Sequence, residues 1–272
     1  MKRILQMAKK KWKFCIILLV SLWIVSSLIT AYQNAHMTAI EQAERILNTW
    51  YIRGNVSMTI WEYKKLLRRT EKKDGDQSKD IVALKTNLAT FYMEKKQYEK
   101  AEICLREAEE ISNQTGLKEW PVNDLYRAYG QYETSQRNYD KALEYYEKSV
   151  KWCKELYGSN STQGGILYLL MSYTYLEMDD LEEAEKYAEL AMMPSYRERD
   201  RLYVINALVA SGDIRIRQEK YDLAISRYED AYQYYKDKLL SNTKEDADIM
   251  DAIREKIEET KRMMGEGDGD GM

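Results

Sequence analysis

The stretch FYMEKKQYEKAEICLREAEE, Phe91–Glu110, places Tyr98 three residues before Ala101. The same step returns in QYETSQRNYDKALEYYEKSV, Gln131–Val150, as Tyr139 and Ala142. Two further copies follow, Leu181-x-x-Ala184 and Tyr221-x-x-Ala224, so the four alanines stand 41, 42 and 40 residues apart. A fixed period of this size marks a stacked repeat. Twelve residues before each alanine is a small residue (Ala89, Gly130, Ser172, Gly212), and seven after is another (Ala108, Ser149, Ala191, Ala231). Four after comes Leu105, Tyr146, Ala188 or Tyr228, and an aromatic precedes three of the alanines by nine residues to within one place: Tyr92, Tyr132 and Tyr175. Small residues recur where two helices cross closely, because a large side chain would hold the backbones apart. Large neighbours fill the holes between the crossing ridges. Polar pairs divide each copy in two: Lys96-Gln97, Arg137-Asn138, Asp179-Asp180 and Glu219-Lys220. The phrase predicts a helical hairpin packed on copies of itself.

Composition points the same way. The 272 residues include 2 Pro and 12 Gly, 32% are charged, and 23 Tyr stand against 2 Phe. So few helix breakers predict an all-α chain. Stepping 42 residues back from Ala101 reaches Thr59, with Trp50 nine before it and Gly54-Asn55 at the turn, which predicts a degenerate first repeat over 37–70. The segments SNQTGLKEWPVN, YGSNSTQGG and MMPSYRERD hold Gly, Pro and Ser that the helices lack, and are read as connectors. Near the end, Asn242 and Glu245 can form a capping box, and Ile249, Ile253 and Ile257 make one apolar stripe. They predict a closing helix over 243–264 that covers the last repeat, followed by a disordered tail over 265–272.

The motif NLATFYMEKKQYEKAEICLREA, Asn87–Ala108, resembles the tetratricopeptide repeat family, in a long form similar to kinesin light chain type repeats. The resemblance implies a right-handed solenoid of four to five helical hairpins, with the repeats over 82–240 and the closing helix as cap. It also implies protein binding, since family members hold a peptide or helix in a concave groove lined by the first helix of each repeat. Carried over by position, that groove comprises Ala83, Thr86, Thr90, Met93 and Glu94, then Asp124, Arg127, Gln131, Thr134 and Ser135. The later repeats contribute Ile166, Leu169, Tyr173, Leu176 and Glu177, then Asn206, Val209, Asp213, Ile216 and Arg217. Two family clamps are incomplete here. Only Arg127 is basic among the early positions, and the asparagine kept by the kinesin light chain type survives as Asn87 but is replaced by Ala128, Leu170 and Ala210. The expected partner-binding residues are Asn87, Arg127, Gln131, Ile166, Leu169, Tyr173, Leu176, Val209 and Ile216. They form a polar first half and an apolar second half, the latter suited to an amphipathic helix or apolar strip of a partner protein. The ends of a solenoid also offer surfaces for self-association.

The N-terminus carries a different signal. FCIILLVSLWIVSSLITAY, Phe14–Tyr32, holds no charge over nineteen residues, enough as a helix for roughly 28 Å and a membrane crossing. Six cations precede it within the first thirteen residues, which predicts a cytoplasmic segment over 1–13, a transmembrane helix over 14–32 and an extracytoplasmic solenoid. On this reading the protein is a single-pass, membrane-anchored scaffold or adaptor, or alternatively a membrane-tethered sensor or receptor of a short peptide signal. The formal net charge of −3 leaves −9 for everything after those six cations, which argues against nucleic acid as a partner. One histidine, His36, and three cysteines, Cys15, Cys104 and Cys153, form no metal-binding or catalytic spacing. No enzyme activity, cofactor or metal is expected.

Overall fold

The computed structural model describes residues 37–74, 79–118, 120–158, 161–192, 201–238 and 244–267. The chain divides into two compact units, up to Asp76 and from Gln77 onward. Eleven α-helices and no strand are present among the described residues.

In the first unit, α1 (Ala39–Ile46) begins at a capping box. Thr38 Oγ1 accepts from the Glu41 N–H at 3.2 Å, and the Glu41 carboxylate accepts from the Thr38 N–H at 2.7 Å. These hydrogen bonds hold the Glu41 carboxyl below its ordinary pKa. A π-helical turn, Leu47–Tyr51, leads into a turn at Gly54 and then α2 (Val56–Asp74), where Asn55 Oδ1 accepts from the Met58 N–H. Thr59, Tyr63 and Leu66 are fully buried on α2, and the Tyr63 hydroxyl donates to the Ala43 carbonyl of α1 at 3.5 Å.

The second unit contains four hairpins. They are α3 (Lys79–Glu94) with α4 (Tyr98–Thr115), α5 (Trp120–Ser135) with α6 (Tyr139–Tyr157), α7 (Thr162–Glu177) with α8 (Leu181–Met192), and α9 (Arg201–Arg217) with α10 (Tyr221–Lys238). Ala101, Ala142, Ala184 and Ala224 have no exposed surface, and Ala89, Ser172 and Ala231 are buried with them. Close crossing explains why: an added Cβ would lie 2.5 Å from Tyr146 Cδ1 at Gly130 and 2.7 Å from Tyr228 Cδ1 at Gly212. Each first helix ends in the same way. The residues Lys96, Arg137, Asp179 and Glu219 adopt positive φ between 56° and 62°. Their N–H groups and those of the next residue return to carbonyls of the last turn, as in Lys96 N to Met93 O and Gln97 N to Tyr92 O, both 2.8 Å.

The last helix, α11 (Lys244–Gly267), packs on α10 and buries Met250, Ile253 and Ile257, with Ile249 half-buried beside them. It runs three residues past the expected end at 264. The Asn242–Glu245 capping box falls outside the described residues.

The expected membrane anchor has no counterpart among the described residues. Among the described residues no helix is long and apolar enough to cross a membrane. The most apolar of them, α7, has 16 residues, about 24 Å against a hydrocarbon core of roughly 30 Å. The stretch 14–32, on which the anchor rested, lies outside the described residues. The fold class is therefore corrected to an all-α hairpin solenoid with no membrane-spanning helix among the described residues. The single-pass topology, the extracytoplasmic placement and the membrane-tethered scaffold or sensor are left without support.

Candidate peptide-binding groove

Within the second unit the first helices contact one another in sequence, α3 with α5, α5 with α7 and α7 with α9. Each second helix instead packs on the following first helix, as α4 on α5, α6 on α7 and α8 on α9, and no substantial contact joins two second helices. The second helices are thereby splayed, and α3, α5, α7 and α9 line the inner face.

The structure separates the expected groove residues into two classes. Leu169 is 8% exposed and packs among Ala191, Ala207 and Ala210, while Leu176 is 9% exposed among Ala184, Ala188 and Ile214. Both are core residues that join α7 to its neighbours. They correct the expectation of a continuous apolar strip open to a partner. Ala83 and Thr86 are buried as well. The family register placed these side chains on the inner helix, but the tight stacking of α7 on α9 turns them into the joint.

Asn87, Arg127, Gln131, Tyr173, Val209 and Ile216 are half-buried, and Ile166 is exposed. Arg127 Nη2 donates to Asp124 Oδ1 at 3.0 Å. Gln131, one turn beyond Arg127, has its side-chain carbonyl oxygen buried with no hydrogen-bond partner among the described residues. Thr134 Oγ1 lies 3.3 Å from both the Tyr146 hydroxyl and Thr174 Oγ1, a polar link from repeat to repeat. Tyr173 lies between two core clusters and its hydroxyl donates to the Asn206 carbonyl at 3.5 Å. Burial pushes its phenol up to about 12.

At the far end the closing helix enters the groove. Asp213 accepts from the Tyr228 hydroxyl and from Lys256 Nζ of α11, each at 2.6 Å. Burial, and the hydrogen bond and negative charge of Asp213, raise the Tyr228 pKa strongly. A cavity of about 220 Å³ remains there, with Ile216, Arg217, Thr260 and Met263 in its wall. Sequence reasoning missed the Lys256–Asp213 contact. Its only trace was the charge of each residue, 43 positions apart.

The turns are held by a second set of polar contacts. Buried Glu133 accepts from Asn138 Nδ2 at 2.8 Å and from Lys141 Nζ, which raises the lysine's pKa. Arg215 forms a two-pronged pair with Glu185 across the third and fourth repeats. Cys153 is buried and Cys104 half-buried, and neither forms a disulfide among the described residues. Among the described residues no group of His, Cys, Asp and Glu could hold a metal ion.

Residues 82–115 and 121–192 match models of the tetratricopeptide repeat. No match is found among curated proteins. Solved structures supply likenesses of fold. A signal transduction ATPase with numerous domains and a tetratricopeptide repeat sensor, from Pyrococcus horikoshii, is 19% identical with a TM-score of 0.57. That match covers 71% of this chain but only 29% of the ATPase. A thermophilic tetratricopeptide repeat protein of Thermus thermophilus is 12% identical over 81% of this chain and 99% of its own, with a TM-score of 0.54. BtubC (BKLC) from P. vanneervenii is 16% identical over 86% and 93%, with a TM-score of 0.53. Repeat matches and fold together support a tetratricopeptide-type solenoid of helical hairpins.

Proposed function

We propose that the protein is a scaffold or adaptor that holds an extended segment of a partner protein along the inner face of α3, α5, α7 and α9. The observation that carries this reading is Gln131, whose buried carbonyl oxygen lacks a hydrogen-bond partner among the described residues. An unmet buried acceptor costs about 1–3 kcal/mol, and an extended peptide has free backbone N–H groups that can meet it. Asn87 and Arg127 flank this point on the same face and supply further polar contacts. Tyr173, Val209, Ile216 and exposed Ile166 continue the surface as apolar ground for side chains. Leu169 and Leu176 belong to the frame and take no direct part.

The test uses a peptide selected from a random library on the full chain, with affinity measured by calorimetry. Gln131→Ala and Arg127→Ala should each weaken binding about tenfold, or about 1.4 kcal/mol, with unchanged helical circular dichroism. Affinity unaltered in both variants would overturn the reading.

A further inference from the structure

A cleft of about 530 Å³ opens between α6, α7 and α8, on the side of the second helices and away from the groove. The repeat register explains why it exists. Val150, Tyr168, Met171 and Tyr187 line it, and one repeat earlier the same four positions are Glu109, Tyr126, Tyr129 and Tyr145. There the place is filled. Tyr129 stacks on Tyr145 with ring centres 4.9 Å apart and planes 11° from parallel, and its hydroxyl donates to Glu109 at 2.9 Å. The pair behind it is kept in both repeats: Tyr126 and Tyr145 lie 6.3 Å apart, Tyr168 and Tyr187 6.1 Å. At the later junction, however, methionine stands where the third ring would be, and valine where its acceptor would be. Tyr187 stacks on Tyr175, one turn further along α7, and the cleft stays open.

We propose that this cleft is a second binding site, which takes the phenol side chain of a tyrosine presented by a partner protein. The chain's own Tyr129 shows the shape that such a ring completes. Val150, Met171 and Leu190 give an apolar floor and wall, and the pair Tyr168 and Tyr187 gives aromatic faces, which favour offset stacking. Two lysines, Lys151 and Lys154, and two glutamates, Glu147 and Glu155, rim the opening. Their charges balance, so the complementary ligand is an uncharged ring with a polar edge, which either kind of rim group can meet. Lys148, whose ammonium sits over Tyr145 at the filled junction, is replaced here by Leu190, which removes a cation from the wall.

The proposal is independent of the groove, and its test separates the two. N-acetyl-tyrosinamide is titrated into the full chain while the Leu190 methyl signals are followed by NMR. Saturable shifts at Leu190 are expected, weakened at least tenfold in the double variant Val150→Glu with Met171→Tyr, which copies Glu109 and Tyr129. That variant should leave binding of the groove peptide unchanged. Should it fail to fold, Leu190→Lys copies Lys148 and narrows the same opening, with the Val150 methyls as reporter. No shift up to the solubility limit of the probe, or equal shifts in the filled variant, would overturn the proposal. So would Leu190 shifts that follow protein concentration without probe, which would assign the cleft to a second copy of the chain.

Discussion

The second and fourth repeats solve their helix crossing differently from the first and third. Gly130 faces Tyr146 and Gly212 faces Tyr228, whereas the same two positions hold Ala89 with Leu105 and Ser172 with Ala188. What is shared at the crossing is fit between neighbours, since glycine appears where the opposing residue is a tyrosine. The two solutions have different consequences. In the glycine–tyrosine repeats the ring passes beneath the crossing and its hydroxyl reaches groups of the inner face, Thr134 in one case and Asp213 in the other. In the third repeat the Ser172 hydroxyl donates to the Ala184 carbonyl at 2.7 Å, closing the crossing locally. Two of the four repeats therefore tie their core directly to the candidate groove.

The sharpest way to break this comparison is to exchange half of a pair. Gly130→Ala adds one methyl group against a ring that is 1% exposed. Alanine favours a helix over glycine by about 1 kcal/mol. Overpacking costs about 1–3 kcal/mol, and with the added Cβ 2.5 Å from the ring the upper part of that range should win. The variant should lose about 2 kcal/mol in urea denaturation. Adding Tyr146→Leu recreates the Ala89–Leu105 pair and should recover part of the loss, a coupling that a double-mutant cycle reads directly. Strictly additive losses would mean that the crossing has no such fit.

A second difference follows from the phenols. Burial pushes Tyr146 up to about 12, while an unfolded tyrosine ionises near 10. The unfolded state therefore releases its proton first. The stability that comes from keeping this phenol neutral is whole below pH 10 and drains as the pH rises toward 12. Across two pH units the loss is about 2–3 kcal/mol. Tyr173 in the third repeat shifts in the same direction, so Tyr146→Phe should remove part of the alkaline loss and leave the rest. The measurement is denaturant stability at pH 8, 10 and 11, and an identical slope in the variant would show that Tyr146 does not titrate with folding.

The repeat register was legible because it is written in residue size. Every small position read at twelve before or seven after the alanines is buried where the structure describes its side chain. The groove was less legible. Its positions came by family register, which marks the helix face but cannot tell a lining residue from one sealed by the next repeat. Leu169 and Leu176 look no different in sequence from Ile166, yet α8 and α9 cover them. The cleft beside Met171 was invisible for another reason: it arises from a ring that is missing relative to Tyr129, and apolar periodicity counts methionine and tyrosine alike. The anchor expectation drew on residues 1–32, which lie outside the described residues.

The turns show what both kinds of repeat have in common, and they carry the smallest expected effect. Gly54 in the first unit has φ 73° and the same pair of return bonds as the later turns, Gly54 N to Tyr51 O and Asn55 N to Trp50 O. The four later repeats put Lys96, Arg137, Asp179 and Glu219 in that left-handed position. A side chain there costs about 1–2 kcal/mol, and glycine gives back roughly half of the gain through its greater freedom when unfolded. Lys96→Gly should therefore raise stability by about 0.5 kcal/mol. Lys96 is exposed and makes no side-chain hydrogen bond or ion pair among the described residues, so little else is removed. The same exchange at Asp179 should gain less, because it also removes the pair with Arg217 at 3.3 Å. Equal gains at both sites would assign that surface pair no stabilising role, while a loss at Lys96 would show that the side chain contributes more to the turn than its backbone strain costs.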